Sequence, residues 1–471
     1  MHYEKFRDGT VKCIEDEIPF EVPEGWAWCR LSSVFLKITD GTHHSPDSFP
    51  FGDYKYITAK NIKQEGIVLD NITYVNADIH KEIFARCNPE FGDILYIKDG
   101  ATSGIVTVNN LHEEFSMLSS VALLKPTSDV DGWYICYTMQ SPYFYNTTRS
   151  DMKGVGITRI TLNMLISRLI PIPPRNEQRR IAAKSKTIID TISNIESDKD
   201  YINQTISKAK VKILDLAIRG KLVPQDPNDE PASTLLERIR AEKEELIKQG
   251  KFKRDKKESF IFKGEDNSYY EKIGDEIYCI DEEIPFEIPD TWTWVRLENC
   301  CIKEIRRGKS PKYIDKSGTL IFAQKCNTKY NGINIDLAQY LDENTLTKYS
   351  SDEYMQNGDV VINSTGTGTL GRVGVYHSID NPLNLPIVPD SHVTVIRTYS
   401  SIQSFYIYAF MKANQQELEK KGEGSTNQKE LKPHTLKEMF VPIPPYNEQI
   451  RIIESLTHMF SLVSMLEKSL N

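Results

Sequence analysis

No stretch of this chain approaches the ~18 consecutive apolar residues that a membrane-spanning helix needs, so no span is expected. The opening Met1-His2-Tyr3-Glu4-Lys5 has no apolar core, so no secretory leader is expected either. Cysteine is scarce: eight residues, scattered, with one adjacent pair at Cys300-Cys301 and no CxxC spacing. That pattern excludes a zinc ribbon and a disulfide framework and points to reduced thiols in a cytoplasm. A basic surplus is missing as well. Lys and Arg number 58 against 66 Asp and Glu, for a net charge of -8. A nucleic-acid-binding domain is usually basic, so any such contact must rest on local loops or on charge from a partner. The run Lys251, Lys253, Arg254, Lys256, Lys257 reads as a solvated linker.

What the chain has in abundance is repetition. Glu17-Ile18-Pro19-Phe20-Glu21-Val22-Pro23-Glu24-Gly25-Trp26-Ala27-Trp28 returns as Glu283-Ile284-Pro285-Phe286-Glu287-Ile288-Pro289-Asp290-Thr291-Trp292-Thr293-Trp294. Pro171-Ile172-Pro173-Pro174-Arg175-Asn176-Glu177-Gln178 returns as Pro442-Ile443-Pro444-Pro445-Tyr446-Asn447-Glu448-Gln449. The frames repeat and their contents differ. Two similar domains holding different recognition surfaces are therefore expected, and the 471-residue length accommodates them. The four framing tryptophans, Trp26, Trp28, Trp292 and Trp294, are candidates for either a core or a partner-docking surface.

The interiors read as mixed α and β. Tyr54–Thr58, Asp93–Ile97, Ile105–Val108 and Val121–Lys125 have strand composition, followed by a helix over 134–145. The second half follows the same order: Leu320–Ala323, Asp359–Asn363, Val373–Tyr376, His392–Arg397 and a helix over 405–421. Each Pro-Pro exit leads into a helix, with Asn176 and Asn447 as expected N-caps. Beyond the first exit, apolar residues recur in steps of four and three: Ile181, Ile188, Ile192, Ile195, Ile202, Ile206, Ile213 and Leu216. The second copy keeps the register with Ile452, Leu456, Met459, Val463, Leu466 and Leu470. These are coiled-coil seams, and the economical way to cover them is for the two helices to pack on each other. The first would run roughly 65 Å at ~1.5 Å per residue. The expected layout is a first domain over 1–175, a spacer helix over 176–219, and a central loop, charged helix and linker over 220–282. A second domain over 283–446 and a terminal helix over 447–471 complete it.

The doubled Pro-Pro-x-Asn-Glu-Gln and the central Arg219-Gly220-Lys221-Leu222-Val223 with Asp226-Pro227-Asn228-Asp229-Glu230-Pro231-Ala232-Ser233 resemble the specificity (S) subunit of type I restriction-modification systems. The resemblance covers essentially the whole chain. It implies an α/β (α+β) architecture with an internal pseudo-twofold repeat: two target recognition domains joined by long antiparallel helices. Each domain would read one half of a split double-stranded DNA target, and the helices would fix the gap. Two modification (M) subunits, which use S-adenosylmethionine, would dock on the repeated frames. Restriction (R) subunits, which use ATP and Mg, would join them. The S chain itself would carry no catalysis, no cofactor and no metal.

Apparent catalytic motifs fail on inspection. Pro444-Pro445-Tyr446 has the ending of an adenine-methyltransferase motif, but Ile443 stands at its first position. Gly366-x-Gly368-x-x-Gly371 is followed by strand-like Arg372–Tyr376, where a dinucleotide fold needs a helix. Gly308-Lys309-Ser310 has Lys303 where a phosphate loop needs glycine, and His43-His44 has no ligand spacing around it.

Base reading needs polar and cationic side chains on exposed loops. The candidates in the first domain are Lys60, Asn61, Lys98, Ser103, Lys153, Thr158 and Arg159. In the second they are Lys325, Asn327, Thr365, Thr367, Arg372, Asn427, Gln428 and Lys429. A coiled-coil scaffold that binds proteins and no DNA is the competing expectation, favoured by the acidic balance.

Overall fold

The computed structural model describes residues 1–152, 159–250, 259–329, 332–366, 368–424 and 429–470. It separates into two compact units, Met1–Ser197 and Asp198–Asn471.

Unit 1 is built on a four-stranded antiparallel sheet in the order Val106–Val108, Ile94–Ile97, Val121–Pro126, Phe35–Asp40. Side chains on a strand alternate between faces. Ile94, Tyr96, Ala122 and Leu124 therefore pack on one side, against Tyr134, Ile135 and Met139 of the helix Gly132–Gln140. Leu95, Ile97, Val121 and Leu123 pack on the other, against Ile57, Phe115 and Met117. A sheet buried on both faces explains why these strands read as continuous apolar runs. A smaller sheet places Tyr54–Ile57 between Phe115–Met117, parallel, and Thr73–Val75, antiparallel.

Unit 2 repeats the plan with other residues. Its main sheet runs Arg306–Arg307, Val393–Ile396, Val360–Asn363, Val373–Val375. The smaller one contains Leu320–Phe322 beside Ile387–Pro389. The helix expected over 134–145 is two helices, Gly132–Gln140 and Pro142–Ser150. The one expected over 405–421 is likewise two, Ser404–Ala413 and Gln415–Lys420. In the first case Ser141 caps the second segment and Pro142 opens it, because proline lacks the N–H a continuing helix would need.

The repeated frames are where the two units agree atom by atom. Ala27–Arg30 pairs antiparallel with Leu169–Ile172, and Thr293–Arg296 with Phe440–Ile443. The Tyr134 hydroxyl donates to the Pro171 carbonyl at 2.7 Å, and Tyr406 to Pro442 at 2.6 Å. Gln178 donates to the Pro173 carbonyl at 2.9 Å and accepts from the Asp131 amide at 2.8 Å. Gln449 donates to Pro444 at 3.0 Å and accepts from Gln403 at 2.8 Å. The glutamine of each Asn-Glu-Gln is thus a buried staple between the proline exit and the domain helix. Asn176 and Asn447 are not N-caps, since the helices begin earlier, at Arg175 and Tyr446. The second proline of each pair holds the cap position instead, its carbonyl accepting from the Gln178 amide at 3.0 Å in one copy and the Gln449 amide at 3.0 Å in the other.

The spacer helix spans Arg175–Ile218 and the terminal helix Tyr446–Ser469. In unit 2 they pack antiparallel, with Leu214, Ala217 and Ile218 against Ile452 and Leu456 and Lys210 paired to Glu467 at 2.7 Å. The expected seam is only partly buried. Ile206 is buried and Ile213, Leu216, Met459, Val463 and Leu470 are half-buried, while Leu214, Ala217 and Ile218, off the expected seam, lie in the core. Ile181 packs at the margin of unit 1's core. Ile188, Ile192, Ile195 and Ile202 are 40% to 61% exposed, and Leu466 is 57% exposed.

The tryptophans also divide. Trp292 and Trp294 are core residues, at 4% and 0% exposure. Their counterparts Trp26 and Trp28 are only half-buried.

Candidate nucleic-acid interface

In unit 1, several loops leave the same end of the main sheet and are tied together by backbone. The Thr42 amide donates to the Met117 carbonyl at 2.8 Å, and Ser119 donates back to Thr42 at 2.8 Å. Lys98 donates to Ser120 at 2.9 Å, Ile160 donates to Lys98 at 3.0 Å, and Asp99 bridges Arg159. Leu118 donates to Ile57 at 3.1 Å, which brings the Thr58–Lys60 turn to the same place. Gly41 is obligatory in this knot, because a Cβ there would lie 2.0 Å from the Met117 carbonyl oxygen.

At the centre sits Asp40, whose buried carboxylate meets Arg86 at 2.6 Å, Lys98 at 3.3 Å and His43 at 3.2 Å. Asp99 also takes Lys98, at 3.4 Å, so Arg86 and Lys98 are matched by two carboxylates and the cluster ties three stretches of chain together. Sequence reasoning missed Asp40, His43 and Arg86. They come from separate stretches of chain, and only the paired His43-His44 gave a signal.

Unit 2 builds the equivalent knot with different side chains. A Cβ on Gly308 would lie 2.1 Å from the Pro389 carbonyl oxygen, matching Gly41. The residue before it is Arg307 where unit 1 has Asp40, and it pairs with Glu430 at 2.9 Å. Thr365 Oγ1 lies 2.6 Å from His392 Nδ1, and the His392 amide donates to Asp390 at 2.8 Å. Burial pushes the Asp390 carboxyl up from the usual carboxylate range. Arg372 donates to the carbonyls of Asn327 at 2.7 Å and Gly368 at 3.1 Å, so it braces the loop it belongs to. The glycine-rich stretch leads into the strand Val373–Val375, as its sequence suggested.

The candidate side chains therefore differ in availability. Lys60, Arg159, Lys325 and Lys429 are exposed. Lys98 and Thr365 are half-buried in the knots. Asn61, Ser103 and Asn327 are corrections: all three are buried, Asn61 and Ser103 committed to their own loops and Asn327 to the loop that carries Arg372. Asn61 Oδ1 accepts from the Thr58 amide at 3.1 Å, Ser103 donates to Gly100 at 2.6 Å, and Asn327 donates to Arg372 at 3.0 Å. Lys153, Thr158, Thr367, Asn427 and Gln428 lie outside the described residues.

One arrangement mimics a catalytic triad. His80 lies 3.1 Å from Ser116 Oγ and 3.4 Å from Glu114. Ser116 is fully buried on its strand, so no substrate reaches it.

The family model described as "Type I restriction modification DNA specificity domain" matches this chain twice, over residues 23–204 and 289–471. The chain belongs to that family. Among curated relatives, the EcoEI specificity subunit of Escherichia coli is 24% identical over 98% of this chain and 82% of its own length. The EcoAI specificity subunit of Escherichia coli is 32% identical, over 60% of this chain and 52% of its own. This chain therefore spans about half of the EcoAI subunit. Among solved structures, the HsdS subunit from Thermoanaerobacter tengcongensis shares the fold with a TM-score of 0.53 at 18% identity, covering 97% of this chain and 94% of that one. A chain from a study of assembly and conformational transition in the type I R-M system reaches 0.60 at 18% identity, covering 96% and 94%. The duplicated specificity domain coincides with the duplicated frame. No helix among the described residues is long and apolar enough to cross a membrane.

Proposed function

We propose that this chain is the sequence reader of a cytoplasmic type I complex, recognising a bipartite, asymmetric DNA target with one half-site per unit. The observation that carries this reading is the pair of knots. Two similar frames hold loop clusters at the same sheet end, built around Asp40 in one and Arg307 in the other. Loops in equivalent places that carry different side chains read different base pairs. The long helix would set the gap. Partner subunits would supply the chemistry: two M subunits methylating adenine from S-adenosylmethionine, and R subunits cleaving with ATP and Mg. No step is assigned to this chain beyond recognition.

Co-expression with an adenine methyltransferase subunit, followed by single-molecule mapping of N6-methyladenine, tests this directly. The expected result is a split motif with a fixed gap, lost when this chain is omitted. Methylation of a continuous site, or methylation that persists without the chain, would promote the scaffold reading. The acidic balance further predicts that the purified chain binds specific DNA far more weakly than the assembled complex does. Equal affinity in a gel-shift titration would contradict that.

Single-residue effects follow from exposure. Lys60→Ala and Lys325→Ala should each weaken binding of the assembled complex to specific and unrelated DNA alike. Each should also lower the slope of log affinity against log salt by about 1. An unchanged slope would mean that the side chain faces no phosphate.

A further inference from the structure

In unit 2, the central segment is seated on the repeated frame through a series of side-chain contacts. Arg219 lies over the Phe286 ring at 4.3 Å. Gly220 presses on Pro289 and Trp292 so closely that a Cβ would come within 2.4 Å of the proline ring. Gln225 donates to Glu448 at 2.5 Å, and Trp292 Nε1 donates to the other oxygen of that carboxylate at 3.0 Å. Asp229 takes Arg451 at 2.6 Å and Asn447 at 3.4 Å. The helix Ala232–Lys248 then lays Leu235 and Ile239 into the core that contains Trp292.

Unit 1 carries the receptor half of this arrangement. Phe20 stands for Phe286, Pro23 for Pro289, Trp26 for Trp292, Asn176 for Asn447, Glu177 for Glu448 and Arg180 for Arg451. The pose is conserved as well as the identities. Trp26 meets Tyr134 edge-on at 6.5 Å, as Trp292 meets Tyr406 at 6.2 Å. The amide of each tryptophan closes the same turn onto its proline, at 3.1 and 2.9 Å. Yet Phe20 is 47% exposed, Pro23, Asn176 and Arg180 are exposed, and Trp26 and Glu177 are half-buried. The one departure is Gly25 in place of Thr291, whose hydroxyl donates to Gln225 at 3.0 Å in unit 2. The surface continues along the helix into the exposed Ile188, Ile192 and Ile195.

We propose that the Phe20–Trp26–Glu177–Arg180 surface of unit 1 is a docking site for a partner-chain segment of the chemistry of residues 219–248. That segment is an Arg-Gly, a Gln five residues beyond the Gly, an Asp four beyond the Gln, and then an amphipathic helix. The occupant is identified by what the same residues bind in unit 2, so the inference stands apart from DNA reading.

The probe is a synthetic peptide with the sequence of residues 210–248, which lacks tryptophan and so leaves the protein's own fluorescence as a readout. Titrated into the full chain, it should bind saturably at one peptide per chain and shift the tryptophan emission. A peptide carrying Gly220→Val or Asp229→Ala should lose at least about tenfold in affinity. These variants leave the protein untouched, so misfolding cannot mimic the result. On the protein side, Glu177→Ala should weaken binding by a similar factor, and Glu448→Ala should leave it within about twofold. The proposal is overturned by absence of saturation up to roughly 1 mM peptide. It is equally overturned if Gly220→Val binds as well as the parent, or if Glu448→Ala rather than Glu177→Ala abolishes binding. The last result would mean exchange into unit 2.

Discussion

Inserting seven residues into the exposed stretch of the spacer helix, between Ile192 and Ile202, should abolish methylation at the original target and create methylation at a new one. Seven residues make close to two full turns, so the helix keeps its facing while lengthening by about 10.5 Å. At ~3.4 Å per base pair, the gap between half-sites should grow by about 3 base pairs. The half-sites themselves should not change, because neither knot is touched. The stretch tolerates insertion because its seam residues, such as Ile195 at 61% exposure, are not locked into either core. Methylome mapping of the variant reads out all three features together. Retention of the original gap, or altered half-sites, would show that the helix is not the ruler.

Arg397→Ala should be among the most destabilising single changes in unit 2, at about 3–5 kcal/mol, because it leaves a buried carboxylate without its partner. Arg397 donates to both oxygens of Asp359 at 2.8 and 2.7 Å, and also to the carbonyls of Tyr354 at 2.7 Å and Asp352 at 3.2 Å. Asp359 itself is 1% exposed. Unit 1 supplies an internal control. There Asp93 pairs with Lys125 at 2.8 Å in the corresponding place, and burial raises the Asp93 carboxyl from its ordinary value. Arg397→Lys should therefore keep the ion pair, lose the carbonyl contacts, and cost only about 1–3 kcal/mol. Chemical denaturation of the three proteins decides the matter. Equal loss in both variants would assign the stability to the guanidinium fork rather than to the charge.

Much of the fold was legible because hydrophobic period and composition are local. The strands Ile94–Ile97 and Val360–Asn363 were found as apolar, β-branched runs within a residue of their ends. The long helix Arg175–Ile218 was found from its spacing of three and four. The candidate interface was legible as loops and not as residues. Lys60 and Lys325 do lie exposed, yet Asn61 and Asn327, their immediate or near neighbours, are buried. An asparagine that reads a base and one that caps its own loop have the same sequence signature. Asp40, Arg86 and Lys98 could not be joined in advance, because their approach depends on strand register.

The sequence by itself determined that this protein is a duplicated frame with divergent contents, and that each exit leads into a helix, since periodicity and proline act over a few residues. Only the tertiary structure decided which copy of the frame is filled. Trp292 is buried and Trp26 is not, although the two stand in near-identical sequence. Burial is a property of what packs on a residue. In unit 2 that is Gly220 and the helix behind it, contributed from some seventy residues away in the chain.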